Sequence, residues 1–186
     1  ITKSRMGFVG ELIDKIKGHS VADLAIQTTL RNLDIPKSWP AEVKQMVEDF
    51  SEAISPQEYL TRLDLTSLPF ITIDGETAKD FDDAVYAEPF KDEGWRILIA
   101  IADVGHYVND GSPIDIEARN RGTSVYFPEF VVPMLPEQLS NDRCSLVPGE
   151  DRLAIVCEVF LYPGYSEPHF QFHQAVIRSK ARTTYH

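Results

Sequence analysis

The chain has 186 residues, of which 43% are hydrophobic and 25% are charged, and its net charge is −11. This composition is typical of a globular protein of ordinary domain size, and no segment is apolar for long enough to span a membrane. A net negative charge is unfavourable for binding nucleic acid, but residues 41–110 contain 16 acidic and 5 basic side chains and account for all of it. The acidity is therefore local, and such a site attracts cations first and phosphates through them.

The cellular context is suggested by what the sequence lacks. The opening segment has neither the central apolar run nor the small-residue cleavage site of a signal peptide. Cys144 and Cys157 lack the CxxC spacing of a metal site, which favours reduced thiols in an intracellular protein. We therefore expect a cytoplasmic protein without a membrane partner. A first residue other than methionine and a strand-like C-terminal run suggest part of a longer chain.

Residues 1–60 are predicted to form a helical lead-in segment. Apolar residues at helical spacing predict a first helix over residues 8–17 and a second over 20–33. A third helix is predicted over 40–54, since proline is favourable in a first helical turn. Proline-containing breaks follow the second and third helices.

Residues 61–186 are predicted to form a different kind of structure, because the hydrophobic period changes to two. Five segments rich in β-branched and aromatic residues predict strands, and turn residues between some of them predict antiparallel hairpins. A short helix is predicted over 113–121, and the proline-broken run VYFPEFVVPMLP predicts an extended binding loop or sheet edge. The predicted fold class is α+β, with helices packed around a mainly antiparallel or mixed sheet. The five predicted strands are residues 69–74, 84–88, 95–103, 152–162 and 169–179.

Four aspartates lie close together between the first two of these strands: Asp74, Asp80, Asp82 and Asp83. If the intervening loop folds back, their carboxylates meet at one end of the sheet while Phe81 faces the core. Two carboxylates about 4 Å apart repel by about 4 kcal/mol at an effective dielectric near 20, so the cluster requires a neutralising partner. Hard oxygen ligands favour Mg²⁺, or Mn²⁺, over zinc, and three or four aspartates suit two ions bridged by a phosphodiester.

Other interpretations of these residues are weaker. The aspartates could be solvated turn residues, although four in ten residues between apolar strands make this unfavourable. Counted from Asp74 or Asp80, the glycine and glutamate of an EF-hand calcium loop are missing. His169 and His173 lie on one face of a predicted strand but lack two further zinc ligands at suitable spacing. Ser145 has no glycine elbow and no evident base, so it does not predict a nucleophile.

The segment TRLDLTSLPFITIDGETAKDFDDAV resembles the sequence that opens the catalytic domain of the ribonuclease II family. The resemblance continues through GWRILIAIADVGHYV and SPIDIEARNRGTSVYFPEFVVPMLPEQLSNDRCSL. It implies a processive 3′→5′ exoribonuclease that hydrolyses RNA to 5′-mononucleotides with Mg²⁺. It also implies that the four aspartates hold the metal, that Asp82 is tied to the chemical step, and that Tyr126 packs against a terminal nucleotide.

The resemblance also implies what this chain lacks. The family's catalytic domain is longer, and its later part supplies an arginine and further aromatic residues near the scissile phosphate. Cold-shock and S1 domains of the full-length proteins bind RNA and feed the 3′ end of a single strand to the site. We therefore expect this chain alone to be inactive or only weakly active.

Three further interpretations follow from the residues themselves. Arg119 and Arg121 precede Tyr126 and are candidate contacts to RNA phosphates. The basic run Arg178, Lys180 and Arg182 predicts a solvated strand edge, with phosphate binding as the second option. The alternatives to an RNA-hydrolysing enzyme are a catalytically silent RNA-binding module that keeps the fold, and a metal-dependent nuclease that acts on DNA.

Overall fold

A seven-stranded mixed sheet forms the centre of the structure, which is a computed structural model. The structure describes residues 2–4, 7–9, 15–16, 19–50, 53–91, 93–128, 130–164 and 168–185. The strands are β1 Thr2–Ser4, β2 Gly7–Val9, β3 Leu63–Asp64, β4 Ile71–Asp74, β5 Asp83–Phe90, β6 Gly94–Ala102, β7 Val125–Phe127, β8 Phe130–Val132, β9 Asp151–Leu161, β10 His169–Arg178 and β11 Ala181–Thr184. The helices are α1 Val21–Asn32, α2 Ala41–Glu48, α3 Pro56–Thr61, α4 Val104–Tyr107 and α5 Pro113–Arg121, and a π-helical turn covers Leu139–Arg143.

The order of strands in the central sheet is β11–β4–β5–β6–β9–β10–β3. The five inner strands β4, β5, β6, β9 and β10 pair with one another in antiparallel fashion. At the two edges, β11 pairs with β4 and β3 pairs with β10 in parallel. Strands β1 and β2, and strands β7 and β8, form separate antiparallel pairs. The prediction of an α+β fold around a mixed sheet is confirmed.

Most of the predicted elements are present. All five predicted strands occur, and β5–β6 and β9–β10 are the predicted hairpins. The predicted helices over 20–33 and 113–121 are α1 and α5, and the side chains of Ser20 and Ser112 accept hydrogen bonds from backbone N–H groups of their first turns. The run around Tyr126, predicted as a loop or edge, is the hairpin β7–β8.

Two helical predictions need correction. The helix predicted over 8–17 is wrong at residues 8 and 9, which belong to β2, and residues 15 and 16 are not helical. The other residues of that prediction, 10–14 and 17, lie outside the described residues. The third helix begins as predicted after Pro40 but ends at Glu48 rather than near residue 54. A short run of apolar residues fits both the helical and the strand period, and this explains the first error.

One face of the sheet carries the core. Small and branched residues of the inner strands, such as Ala84, Leu98 and Val156, are buried against helices and loops on that side. Large side chains from outside the strands fill the space above them, and they include Val43, Phe70, Phe81, Ile114, Leu139 and Leu146. Because Phe81 belongs to this cluster, the loop that carries the aspartates is anchored in the core.

The opposite face of the sheet is apolar but open. Several residues of β4, β6 and β10 that point away from the core keep more than a third of their surface exposed, since side chains alternate between the two faces along each strand. Within the described residues, every helix is too short or too polar to cross a lipid bilayer. The exposed apolar residues on this face include Ile73, Ile99, Ile101, Phe170 and Phe172.

Candidate active site

The four aspartates lie at one end of the central sheet. Asp74 is the last residue of β4 and Asp83 is the first residue of β5, and these strands are antiparallel neighbours. The chain between them must therefore return to the same end of the sheet, and it brings Asp80 and Asp82 with it. Phe81 is buried between them, as its position in the motif predicts.

Two carboxylates of the cluster, those of Asp74 and Asp82, have a raised pKa. Burial, followed by the charge of Asp83, raises the pKa of Asp74 above its usual range, and Asp80 contributes in the same direction. Burial also raises the pKa of Asp82, and the charges of Asp80, Asp83 and Asp74 add to that effect. The structure thus brings the four acidic groups within electrostatic range of each other, where ionising all of them is unfavourable.

The donor chemistry of this cluster fits a divalent cation. The Oδ2 atom of Asp74 is buried and makes no hydrogen bond of normal geometry, and the nearby Thr72 hydroxyl, also buried without such a bond, acts to lower the pKa of Asp74. A buried acceptor in that state gains from a bound ion. Among the side chains that the structure describes, no group of three or more His, Cys, Asp or Glu has converged closely enough to hold a metal. The cluster has the charge and the oxygen atoms that suit Mg²⁺ or Mn²⁺, but its carboxylates do not converge on one point in this structure.

Ser145 holds the loop between Asp74 and Asp83 from the core side. Its hydroxyl, which is 0% exposed, accepts a hydrogen bond from the Phe81 N–H at 3.0 Å and donates one to the Lys79 carbonyl at 3.0 Å. Next to it, the Leu146 N–H donates to the Phe81 carbonyl at 2.8 Å. A serine inside the apolar run CSLV signals a buried hydroxyl that requires partners, but the sequence does not say which partners these are.

Arg182 reaches the same loop from β11. Its Nη2 atom donates to the carbonyls of Gly75 at 2.8 Å and Glu76 at 2.5 Å, and its guanidinium carbon lies 5.0 Å from the centre of the Phe81 ring. Its charge also opposes the rise in the pKa of Asp74. The sequence predicts that Arg182 lies on a solvated strand edge. The residue is exposed, but its guanidinium binds the backbone of the aspartate loop.

The three predicted RNA-contact residues have different surroundings. Tyr126 is 69% exposed on β7 and so presents its ring to solvent. The side chain of Arg119 is 68% exposed and is paired with Asp110 and Asp115. These positions are open to a ligand from solution.

Arg121 is placed differently. Its side chain is 2% exposed, its Nε atom is paired with Glu117 at 2.8 Å, and its guanidinium lies 3.5 Å from the centre of the Trp39 ring. Its Nη1 and Nη2 atoms donate to the carbonyls of Pro133 and Ser38. The buried position argues against the predicted phosphate contact, and Arg121 instead joins α5 to the loop before α2.

The remaining candidates have structural partners. Cys144 and Cys157 are free thiols, and burial raises the pKa of Cys144 to about 12, so it is not a nucleophile at neutral pH. His173 contacts Glu158 at 2.8 Å, and His169 stacks against Phe160. These contacts explain the histidines without a metal.

Comparison with known proteins identifies the family. The model of the RNB domain matches residues 62–186. Ribonuclease R of Escherichia coli strain K12 is 47% identical over 177 residues, which are 95% of this chain and 22% of that protein. The chain thus spans about a fifth of the length of this relative.

Solved structures agree with the sequence comparison. Mycoplasma genitalium RNase R in complex with double-stranded RNA matches with a TM-score of 0.79 and 38% identity, covering 87% of this chain and 29% of that chain. Yeast Ssd1, a pseudonuclease, matches with a TM-score of 0.73 and 17% identity, covering 89% of this chain and 21% of that one, which is a likeness of fold alone. The chain therefore belongs to the RNB-domain family, and its relatives there include the ribonuclease R proteins.

Proposed function

We propose that this chain supplies the aspartate part of a magnesium-dependent active site that hydrolyses RNA from its 3′ end to 5′-mononucleotides. The observation that carries the proposal is the placement of Asp74, Asp80, Asp82 and Asp83 at one sheet end, with mutually unfavourable charges and an unpartnered buried oxygen on Asp74. Such a cluster is costly to the fold, and a role in binding cations accounts for it.

The roles of the residues follow from their positions. Asp74, Asp80, Asp82 and Asp83 would hold Mg²⁺, or Mn²⁺ in its place. A divalent ion supplies Lewis acidity there, which activates water towards the phosphodiester and stabilises charge on the leaving oxygen. Asp74 and Asp82 have a raised pKa, and Asp82 is the more exposed residue of the two, although its carboxyl group is desolvated enough for burial to be the main cause of its raised pKa.

RNA as the substrate is supported by the family and by Tyr126. The related M. genitalium RNase R has been solved with double-stranded RNA and with ribose-methylated single-stranded RNA. Tyr126 offers an exposed ring on which a terminal base can stack, an interaction worth about 1–3 kcal/mol. Arg119 is the remaining candidate for a phosphate contact, after release from Asp110.

The enzyme would work as part of a longer chain in the cytoplasm. Ribonuclease R of E. coli is several times longer than this chain, so most of the surface that guides RNA lies elsewhere. We propose that cold-shock and S1 domains deliver the 3′ end of single-stranded RNA, and that the isolated chain degrades RNA weakly or not at all. Rapid Mg²⁺-dependent degradation by the isolated chain would contradict this part of the proposal.

A segment exchange tests the proposal directly. The matched segment of E. coli ribonuclease R is replaced by this chain, and degradation of RNA labelled at its 5′ end is followed with and without Mg²⁺. We expect stepwise shortening from the 3′ end, and a loss of about 100-fold or more in the Asp82→Asn form, since one charged stabiliser of a transition state is typically worth this much. Asp49→Asn, an exposed aspartate at the end of α2, is the matched control and should have no effect.

Two outcomes would favour other functions. Equal activity of the exchange protein and its Asp82→Asn form would contradict the catalytic assignment. RNA binding without degradation would favour a catalytically silent module, an option kept open by the likeness of this fold to a pseudonuclease. Matched DNA in the same assay tests a nuclease acting on DNA.

A further inference from the structure

Two residues outside the aspartate motif hold its loop from two sides. We propose that Ser145 and Arg182 are positioning residues of the candidate active site, which fix where the carboxylates of the loop can lie. The inference rests on the proposed function, because it concerns the same carboxylates. It adds that an intact set of four aspartates is not sufficient for the site.

Ser145 fixes the middle of the loop. Its buried hydroxyl joins the Lys79 carbonyl to the Phe81 N–H, each at 3.0 Å, so it spans the backbone on both sides of Asp80. One hydroxyl serves as donor and acceptor at once, which alanine cannot do. Replacing it would leave the buried Phe81 N–H and the partly buried Lys79 C=O without this partner, and the loop would have to move to recover the bonds.

Ser145 is itself held in place. The Nε atom of Arg152, a buried residue of β9, donates to the Ser145 carbonyl at 3.0 Å and to the Asp142 carbonyl at 3.1 Å. Leu146, the next residue, is 1% exposed and donates to the Phe81 carbonyl. The position of the loop is therefore transmitted from the central sheet through Arg152 and Ser145.

Arg182 fixes the beginning of the loop. It binds the carbonyls of Gly75 and Glu76, the two residues that follow Asp74, and it covers the ring of Phe81. These contacts join the part of the loop next to Asp74 to the part that carries Asp80 and Asp82. Since the carboxylates repel one another, an unrestrained loop would separate them, and the contacts of Arg182 oppose this separation.

The direction in which metal affinity changes on removal of Arg182 distinguishes a positioning role from a purely electrostatic one. Arg182 is a cation beside a site proposed to bind cations, so on charge alone its removal should strengthen metal binding. If Arg182 positions the loop, its removal should weaken metal binding instead. Loss of a residue that orients metal ligands typically weakens affinity about 10- to 100-fold.

The first experiment needs no metal. Hydrogen exchange of the backbone amides is measured by NMR in the metal-free chain and in its Ser145→Ala and Arg182→Met forms. We expect the Phe81 amide to exchange about tenfold or more faster in Ser145→Ala and the Ala78 amide, which donates to Gly75, to exchange faster in Arg182→Met. Rates within twofold of the original chain in both variants would overturn the proposal. The control Ser140→Ala removes a hydroxyl that bonds to Pro136 and Asn141 instead.

The second experiment measures Mn²⁺ affinity by calorimetry. Arg182→Met should bind Mn²⁺ about tenfold more weakly than the original chain, and Arg182→Lys, which keeps the charge and one donor, should recover part of the loss. The control Arg178→Met removes an arginine from β10, the strand that precedes β11 in sequence, where Arg178 is paired with Asp151. Equal or tighter binding by Arg182→Met would overturn the positioning role. Since Arg182 is exposed, this variant also decides the question if Ser145→Ala does not fold.

A third variant separates this inference from the proposed function. If the original chain binds Mn²⁺ no better than Asp82→Asn, the proposed metal site is wrong. The exchange rates of Phe81 and Ala78 would still decide whether Ser145 and Arg182 hold the loop, because they are measured without metal.

Discussion

Replacing Phe81 with alanine tests whether the aspartate loop is anchored in the core. The ring is 6% exposed and belongs to the main core cluster. Truncating a buried phenylalanine to alanine typically costs about 3–5 kcal/mol, and loss of the contact with the Arg182 guanidinium adds about 0.5–1 kcal/mol. Since a domain of this kind is typically stable by about 5–15 kcal/mol, Phe81→Ala should remove a large part of the free energy of unfolding.

Urea denaturation followed by circular dichroism measures this loss. The matched control is Phe170→Ala on the open face of the sheet, where the ring is 56% exposed and contacts Phe172. We expect the control to cost at most about 1 kcal/mol. Phe81→Leu keeps most of the buried volume and should cost less than about 1.5 kcal/mol, so the site can be studied in a folded variant.

A small effect would refute this account of the loop. If Phe81→Ala loses no more stability than Phe170→Ala, the ring does not anchor the loop in the core. The placement of Asp80 and Asp82 would then depend on the backbone contacts of the loop alone.

Three further predictions concern charge and exposure. Burial and neighbouring carboxylates raise the pKa of Asp82, so its ionisation destabilises the fold as the pH rises above about 4. Asp82→Asn should therefore be more stable than the original chain at pH 7 in EDTA but not at pH 3, by at most about 1 kcal/mol because solvent screens this exposed residue. A less stable variant in urea denaturation at pH 7 would contradict this. The hydrogen bond from Arg178 holds the pKa of Asp151 below its usual range, so the stabilisation from this ion pair is complete above about pH 4 and is lost as the pH falls. Asp151→Asn should therefore cost about 1 kcal/mol of stability at pH 7 in thermal unfolding. An equal cost at pH 2 would be inconsistent with this account. In the segment exchange protein, Tyr126→Ala should weaken RNA binding in fluorescence anisotropy by about 1–3 kcal/mol while changing stability by less than about 0.5 kcal/mol, and unchanged binding would exclude base stacking at this ring.

Local patterns predicted most of the sheet. The alternation of side chains in β5, β6, β9 and β10 depends on neighbours in sequence, and each strand was predicted within a few residues of its observed bounds. The edge strands β3 and β11 were not predicted. Each has at most four residues and is defined by pairing with a strand that is distant in sequence. The helix predicted over 8–17 is wrong at residues 8, 9, 15 and 16, because so short an apolar run fits both the helical and the strand period.

The candidate site was predicted only as far as its motif. Asp74 and Phe81 lie where the strand–loop–strand pattern places them, since those positions follow from the chain itself. Ser145 and Arg182 are 64 and 107 residues from their hydrogen-bond partners Phe81 and Gly75, and no local pattern indicates such contacts. Arg121 was predicted to contact RNA phosphates because it precedes Tyr126. The sequence does not indicate that its side chain packs against a distant tryptophan instead.

The open apolar face of the central sheet has a consequence for handling the chain in solution. Its exposed side chains include Ile99, Ile101 and Phe172, and a contiguous apolar surface of this kind promotes association between copies. The net charge of −11 opposes that association, because like-charged molecules repel over the screening length of the solution. That length falls from about 10 Å at 0.1 M salt to about 3 Å at 1 M, so solubility of the isolated chain depends on low ionic strength. If the aspartates bind Mg²⁺ as proposed, millimolar Mg²⁺ would reduce the net negative charge and so would act in the same direction as salt.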